Sequence, residues 1–208
     1  MIDTQNLILR AENVSKKYHS GGVDVKALDD ITIDIKAGEF IMITGRNGSG
    51  KFVEGNKTTH LPEKLKMELR LSQLGYIFQE YALIAELTAI ENVMLPAMML
   101  ESSKVAKSKA LKMLSKMNLQ NKVKRLPSQL SGGEQQKVAI ARALINEPTI
   151  IFADEPTANL DSIASKEVLE IFKSLNEHDN ITIIMITHEP EELVYASRII
   201  QLSDGKLV

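Results

Sequence analysis

One seven-residue run has the glycine and lysine spacing of a loop that binds phosphate. Its residues are Gly45, Arg46, Asn47, Gly48, Ser49, Gly50 and Lys51. Glycines let successive backbone N–H groups converge on a phosphate, and the lysine reaches the outer phosphate oxygens. The preceding residues Phe40–Thr44 are continuously apolar, which predicts a strand buried on both faces. We therefore expect these seven residues to bind the phosphates of a nucleotide; the simpler alternative is a glycine-rich turn between strand and helix.

A second apolar segment, Thr149–Ala153, leads directly into two adjacent carboxylates, Asp154 and Glu155. Open α/β sheets bind their ligands at the C-terminal ends of the strands, where this pair would lie. There Asp154 would hold Mg²⁺ through its water shell, and Glu155 would polarise an attacking water as general base. By itself, the pair is also consistent with an acidic turn that caps the next element.

The residues from Leu130 to Gln135 read Leu-Ser-Gly-Gly-Glu-Gln. Ser131 and Glu134 have the spacing of a capping box at a helix start. Gly132 and Gly133 would let the backbone approach an anion at the positive end of that helix. A helix cap alone requires neither the two glycines nor the glutamine, so the run indicates a binding role.

At this point the sequence resembles the ATP-binding cassette (ABC) ATPases, whose signature motif is Leu-Ser-Gly-Gly-Gln/Glu. The resemblance implies that Ser131, Gly132, Gly133 and Glu134 face the nucleotide of an opposite protomer. It also implies four further roles. Tyr18 would stack on adenine, Gln79 would sense Mg²⁺ and the attacking water, Asp161 would belong to the D-loop Asn159-Leu160-Asp161, and His188 would contact the γ-phosphate.

Simpler interpretations stay open for several of these residues. Tyr18 could be a core tyrosine, Gln79 a solvated loop residue, and Asp161 the N-cap of the following helix. The methionines Met94, Met98 and Met99 suit core packing, or alternatively an adaptable groove for a partner's helix.

The elements that would position these residues alternate along the chain. Leu7–Val14 and Ile31–Ile35 have the period-two pattern of antiparallel strands. From Leu126 onwards, buried strands alternate with helices, which predicts a parallel α/β core. With the resemblance, the expected fold is a P-loop NTPase of the ABC type. It would be a single domain over residues 1–208, with an N-terminal antiparallel β-subdomain and a helical signature subdomain at about residues 80–147.

The finer pattern predicts the boundaries of the remaining elements. Helices are expected at these segments: Pro62–Gln73, Ala89–Leu100, Lys104–Asn118, Gly132–Asn146, Ser162–Glu177 and Glu189–Ala196. Strands are expected at Leu74–Phe78 and Ile181–Thr187, with a closing hairpin formed by Arg198–Leu202 and Lys206–Val208.

Composition excludes several other classes of protein. The chain has 208 residues, no cysteine, and 25 basic against 27 acidic residues. A disulfide scaffold, a cysteine-ligated zinc site and thiol catalysis are therefore excluded. Aromatic residues make up only 4%, and with the slight acidity this argues against nucleic acid as a partner. No apolar run approaches the roughly 20 residues that span a bilayer, so we expect a cytoplasmic protein.

The sequence departs from the family pattern directly after Lys51. The P-loop pattern requires Ser or Thr there as an Mg²⁺ ligand, but Phe52 has no oxygen to offer. The helix that should follow is also missing, and Phe52–Asn56 reads as a strand and turn. A helix of roughly 10–14 residues and its loop would add about twenty residues. Either the sequence lacks residues that the protein has, or the protein carries an internal deletion.

The resemblance implies an ATPase subunit that powers a membrane permease, with ATP and Mg²⁺ as ligands. It would work as a homodimer or with a paired nucleotide-binding domain, on the inner face of the cell membrane. The signature run Leu-Ser-Gly-Gly-Glu-Gln-Gln-Lys-Val and the opening Leu7–Leu28 most resemble the lipoprotein-release, macrolide-export and FtsE-type subgroup. The alternative is a scaffold module with a defective nucleotide site. A soluble ABC protein that acts on ribosomes or DNA is disfavoured, because those usually have two cassettes or a long coiled coil.

Overall fold

The computed structural model describes residues 6–20, 23–45 and 62–208. Two long antiparallel strands, β1 (Leu7–Ser20) and β2 (Val23–Lys36), pair with each other in a two-stranded sheet. They confirm the predicted N-terminal antiparallel strands and extend beyond them. The interrupted register of the pair, with several bulges, twists this sheet.

Across residues 23–45 and 62–208, a six-stranded sheet forms the centre of the structure. Its strands in chain order are β3 (Phe40–Gly45), β4 (Leu74–Ile77), β5 (Ile150–Asp154), β6 (Thr182–Ile186), β7 (Arg198–Ser203) and β8 (Lys206–Leu207). In space they run β4-β5-β6-β3-β7-β8; all neighbouring pairs are parallel except β7 with β8. The predicted parallel core and its closing hairpin are both confirmed.

In the described part of the chain, five α-helices and two 3₁₀ segments connect these strands. The helices are α1 (Glu63–Gln73), α2 (Ala89–Met98), α3 (Ser103–Lys116), α4 (Gly132–Leu144) and α5 (Ser162–Glu177). The 3₁₀ segments are Pro127–Gln129 and Pro190–Tyr195. Each predicted helix is present within a few residues of its expected bounds, but Glu189–Ala196 is a 3₁₀ segment rather than an α-helix.

The two faces of the central sheet bury different layers. One face packs Phe40, Met42 and Met185 against the apolar sides of α2 to α5, where α2, α3 and α4 also pack against one another. The other face packs Ile41 and Ile184 against side chains from β1 and β2. Because the strands are covered on both faces, they read as continuous apolar runs rather than as alternating ones.

Every helix in the described ranges is too short or too polar to cross a bilayer. The phosphate-binding run beyond Gly45, from Arg46 to Lys51, lies outside the described residues. So does the predicted strand and turn at Phe52–Asn56.

Candidate functional site

Four of the predicted site residues lie at one edge of the central sheet. Strands β3, β4, β5 and β6 are parallel, so their carboxyl ends share this edge. Gly45 ends β3, Asp154 ends β5, Gln79 lies two residues beyond β4, and His188 two residues beyond β6. The sheet register therefore brings together residues that are distant in the sequence.

Glu155 and His188 are in direct contact. A Glu155 carboxylate oxygen, Oε1, lies 3.1 Å from His188 Nδ1, while the other ring nitrogen lies 3.2 Å from the Glu189 carboxylate. Glu155 has a left-handed backbone with φ of 42°, and its N–H donates to the Ile186 carbonyl at 3.0 Å. This sharp turn aims the side chain across the strand ends, where a general base is expected.

The turn after β5, residues 156–161, is hydrogen-bonded to two other parts of the site. We call it the β5 turn. Its Pro156 carbonyl accepts a hydrogen bond from Gln136 of α4 at 2.7 Å. Its Asn159 donates to the backbone carbonyl of Gln79 at 3.1 Å, and its carbonyl accepts from the Tyr81 hydroxyl at 3.3 Å. Helix α4, which begins at the signature run and which we call the signature helix, is thus hydrogen-bonded to the segment that follows Glu155. So is the loop after β4 that carries Gln79 and Tyr81, which we call the glutamine loop.

A half-buried arginine holds the glutamine loop against the signature helix. Arg142 of α4 donates to the carbonyls of Tyr81 at 2.9 Å and Ala82 at 2.6 Å. Both of those residues have left-handed backbones, with φ of 61° and 49°. Burial lowers the pKa of Arg142 below its ordinary value, but a guanidinium stays charged at any physiological pH. The arginine therefore stabilises a backbone turn that most side chains disfavour.

The predicted capping box at the start of α4 is confirmed. Ser131 Oγ accepts from the Glu134 N–H at 3.3 Å, and the Glu134 carboxylate accepts from the Ser131 N–H at 3.0 Å. The Lys122 ammonium lies 3.1 Å from Glu134. The backbone hydrogen bond from Ser131, and then Lys122, lower the pKa of Glu134 below its ordinary value.

The glycines of the signature run have a packing role that the sequence analysis did not identify. A Cβ added to Gly133 would lie 2.9 Å from the Cβ of Ala164 on α5. A Cβ added to Gly132 would lie 2.8 Å from the Tyr81 hydroxyl. Glycine at these positions therefore lets α4 approach its own neighbours closely, in addition to any anion.

Several open interpretations are settled by the structure. Tyr18 is 46% exposed with the Lys16 ammonium 5.4 Å from its ring centroid, so the core alternative is wrong. Asp161 caps α5 by accepting from the N–H groups of Ile163 and Ala164, so the structural role is present. The nucleotide roles of both residues stay predictions.

The methionines differ in burial, which confirms core packing for Met94 alone; the partner role of Met98 and Met99 stays a prediction. Met94 is buried in the core, whereas Met98 and Met99 are 49% and 61% exposed at the end of α2.

Four residues of this site were missed by the sequence analysis: Gln136, Arg142, Thr157 and Glu192. Gln136 is fully buried, and Glu192 is 6% exposed on the 3₁₀ segment Pro190–Tyr195. In the sequence, Gln136, Arg142 and Glu192 are polar residues inside segments already predicted as helices, and Thr157 is one polar residue in a turn. Only the tertiary contacts distinguish them from solvated positions.

Comparisons with known proteins place this geometry in a family. The sequence model of the ABC transporter family matches residues 28–158. An uncharacterised ABC transporter ATP-binding protein of Methanocaldococcus jannaschii is 44% identical, over 97% of this chain and 98% of that protein. The lipoprotein-releasing system ATP-binding protein LolD of Aquifex aeolicus is 43% identical, over 97% and 96%.

Solved structures are similar throughout the fold. The ATP-binding cassette MJ0796, as a post-hydrolysis dimer bound to ADP and Pi, has a TM-score of 0.84 and 36% identity over 95% of each chain. CbiO1 from Clostridium perfringens has a TM-score of 0.83 and 26% identity, over 98% of this chain and 87% of that one.

The alignments also bear on the predicted gap after Lys51. The match to LolD spans 220 aligned positions, whereas 97% of 208 residues is about 202 residues, so about 18 positions have no counterpart in this chain. This shortfall agrees in size with the missing helix and loop, although its place in the chain stays a prediction. With a family match over more than half of its length and close relatives over nearly all of it, the chain belongs to the ABC transporter family and is one of its ATP-binding cassettes.

Proposed function

We propose that this chain hydrolyses ATP at the carboxyl edge of its central sheet and that hydrolysis powers a membrane permease. The observation that carries the proposal is the pair Glu155–His188, in contact at 3.1 Å beside the phosphate-binding strand β3. Glu155 acts as the general base on the attacking water, and His188 contacts the γ-phosphate. Gln79, whose backbone is attached to the β5 turn, orients the water. Catalysis of this kind rests on positioning and electrostatics.

The phosphates and the adenine are bound by the residues that the sequence identified. Backbone N–H groups from Gly45 to Lys51 surround the phosphates, and the Lys51 ammonium offsets their charge. Tyr18, which is exposed, provides a flat ring for the adenine. In a dimer, Ser131 to Glu134 and Asp161 of the opposite protomer complete each site.

The donors at this edge suit a magnesium ion that is held mainly by nucleotide phosphates. The Asp154 carboxylate and the Gln79 side-chain amide follow the neighbouring strands β5 and β4, and both offer oxygen. Oxygen is the donor that Mg²⁺ requires, and one or two carboxylates with phosphates are its usual complement in nucleotide sites. When bound, Mg²⁺ would neutralise phosphate charge. Asp154 and Gln79 are the residues that would hold it.

A single substitution tests the catalytic assignment. We expect Glu155→Gln to lower the steady-state rate of phosphate release by at least about 100-fold, because the amide cannot accept the proton of the attacking water. ATP binding, measured separately, should be retained. Glu191→Gln, an exposed glutamate on the nearby 3₁₀ segment, is the control and should match the parent chain. Unchanged turnover in Glu155→Gln would contradict the role of this residue.

The residue after Lys51 leaves one competing function to be tested directly. Phe52 lacks the hydroxyl of the P-loop pattern and is the one feature that argues for a scaffold module without turnover. The similarity to ATP-binding proteins over nearly the whole chain does not favour that alternative. Intact mass and ATP binding, with and without Mg²⁺, should be measured on one sample. A mass above that of the 208 residues, with Mg²⁺-dependent binding, supports the ATPase; a matching mass without binding supports the scaffold.

Two copies, or one copy and a paired domain, would form the working unit. The dimeric structures of MJ0796, one of them with ADP and Pi, support this arrangement by similarity. The exposed apolar residues Met98, Met99 and Leu100 at the end of α2 suit a contact with an apolar helix of the permease. That contact would hold the chain at the inner face of the cell membrane.

A further inference from the structure

Glu192 is a buried carboxylate whose two oxygens join two separate loops. It is 6% exposed on the 3₁₀ segment Pro190–Tyr195. One oxygen accepts from the Thr157 hydroxyl and the other from the Thr187 hydroxyl, both at 2.5 Å. Both threonines are themselves buried.

The two threonines lie next to the proposed catalytic groups. Thr157 is in the β5 turn, two residues after Glu155, and Thr187 directly precedes His188. The Thr187 hydroxyl also accepts from the Glu189 N–H at 3.0 Å, which fixes the backbone on the far side of His188. A single side chain therefore links the loop that carries the base to the loop that carries the histidine.

Burying the Glu192 carboxylate costs free energy unless each of its oxygens is hydrogen-bonded. An apolar residue of similar volume would avoid that cost. A carboxylate that accepts two short hydrogen bonds restrains both donors in distance and direction, which apolar packing does not. The arrangement suits a site in which small displacements of either loop lower the rate.

We propose that Glu192 is a positioning residue that keeps Glu155 and His188 at their contact distance by holding Thr157 and Thr187 together. The proposal rests on the proposed function, in which that pair acts on the water and the γ-phosphate. Glu192 itself touches neither. It acts through the two threonines and the backbone that joins them to Glu155 and His188.

Turnover of matched variants gives the first test. In Glu192→Ala we expect kcat to fall about 10- to 100-fold while KM for ATP changes less than about threefold, because the loops lose alignment while the phosphate loop is unaltered. Glu192→Gln should recover most of the loss. Its amide oxygen still accepts one hydrogen bond, and its amide N–H can donate another to a threonine oxygen. Glu191→Ala, the exposed neighbour, is the control. An unchanged kcat in Glu192→Ala, or no recovery in Glu192→Gln, would overturn the proposal.

A double-mutant cycle separates positioning from general destabilisation. In a His188→Ala background, Glu192→Ala should lower kcat by a smaller factor than it does in the parent chain, because one of the two groups that it positions has gone. Equal fold-losses in both backgrounds would show that Glu192 does not act through His188. If Glu192→Ala does not fold, Thr157→Val and Thr187→Val each remove one of the two hydrogen bonds, and the same outcomes apply.

Hydrogen exchange tests the bridge without relying on hydrolysis. The N–H groups of Glu155 and Glu189 donate to Ile186 and Thr187. Both should exchange at least about tenfold faster in Glu192→Ala than in Glu191→Ala, with Ile184 in the centre of β6 unchanged. If the parent chain hydrolyses no ATP, the proposed function fails, and this exchange decides the bridge alone. Unaltered exchange at Glu155 and Glu189 contradicts it.

Discussion

At the scale of single residues, Gly133 shows how one position serves two constraints. The sequence motif accounts for this glycine by the approach of an anion to the start of α4. In the folded chain the same glycine faces Ala164 of α5, so that α4 and α5 meet with almost no space between them. A motif residue can therefore be required for packing even before any ligand binds.

This packing gives a prediction that needs no nucleotide. We expect Gly133→Ala to lower the free energy of unfolding by about 1–2 kcal/mol, because overpacking outweighs the helix propensity that alanine gains. Urea unfolding of the single variant, of Ala164→Gly and of the pair would measure the coupling. The pair should recover at least about 1 kcal/mol relative to additivity. Additive losses would mean that the contact is not limiting.

Gly132→Ala is the matched comparison for that experiment. Its added methyl group meets the end of the Tyr81 side chain rather than a helix methyl group. The tyrosine ring has rotational freedom that Ala164 lacks, so a smaller loss is expected at Gly132.

At the scale of elements, the sequence predicts strands and helices well and their contacts poorly. The apolar run Phe40–Thr44 predicts β3 because both faces of that strand are buried. The segment around Glu192 is predicted as a short helix and forms a 3₁₀ helix, in which the Glu192 side chain is buried. Its partners Thr157 and Thr187 lie on other elements, and no local period encodes such contacts.

The site residues divide in the same way. The capping box of Ser131 and Glu134 is a local feature, and the sequence predicts it correctly. The contact of Glu155 with His188 depends on the register of β5 with β6, which sequence spacing alone does not determine. The family resemblance gave each residue a role, but their contact was not predicted.

The start of α4 has a predictable pH dependence. The hydrogen bond from Ser131 and the charge of Lys122 lower the pKa of Glu134 below its ordinary value of 4.5. Its stabilisation is therefore complete above that ordinary value, and it is lost as pH falls through the lower pKa of the folded state. We expect Glu134→Gln to cost about 0.5–1 kcal/mol at pH 7 and less at pH 3.

Chemical unfolding at both pH values measures this difference. The control is Glu177→Gln, an exposed glutamate at the other end of a helix. Its effect should be small and should not change with pH in the same direction. An equal loss for Glu134→Gln at pH 3 and pH 7 would contradict the charge contribution.

At the scale of the whole molecule, the β5 turn joins parts that the chain order keeps apart. Gln136 of the signature helix and the backbone of Gln79 are hydrogen-bonded to it directly, and Glu192 is bonded to it through Thr157. A displacement at any of these three places changes the hydrogen bonds of the same six residues. The turn can thus relate the state of the nucleotide edge to the helices α2 to α4, which carry the exposed apolar residues proposed for the permease contact.

The strand order of the central sheet also determines when this protein can fold during its synthesis. Strand β3 lies between β6 and β7, and Gly38 just before it is hydrogen-bonded to Thr182, 144 residues further along. At 5–20 residues per second, a ribosome needs roughly 7–30 s to supply that partner. During this time the apolar β3 has neither of its neighbours, so we expect nascent chains that stop before β6 to bind a chaperone that captures exposed apolar segments. Two ribosome-stalled chains would test this, one ending after residue 178 and one in which a linker follows residue 208. Crosslinking to the chaperone should fall sharply in the longer chain. Equal crosslinking of the two chains would contradict the prediction.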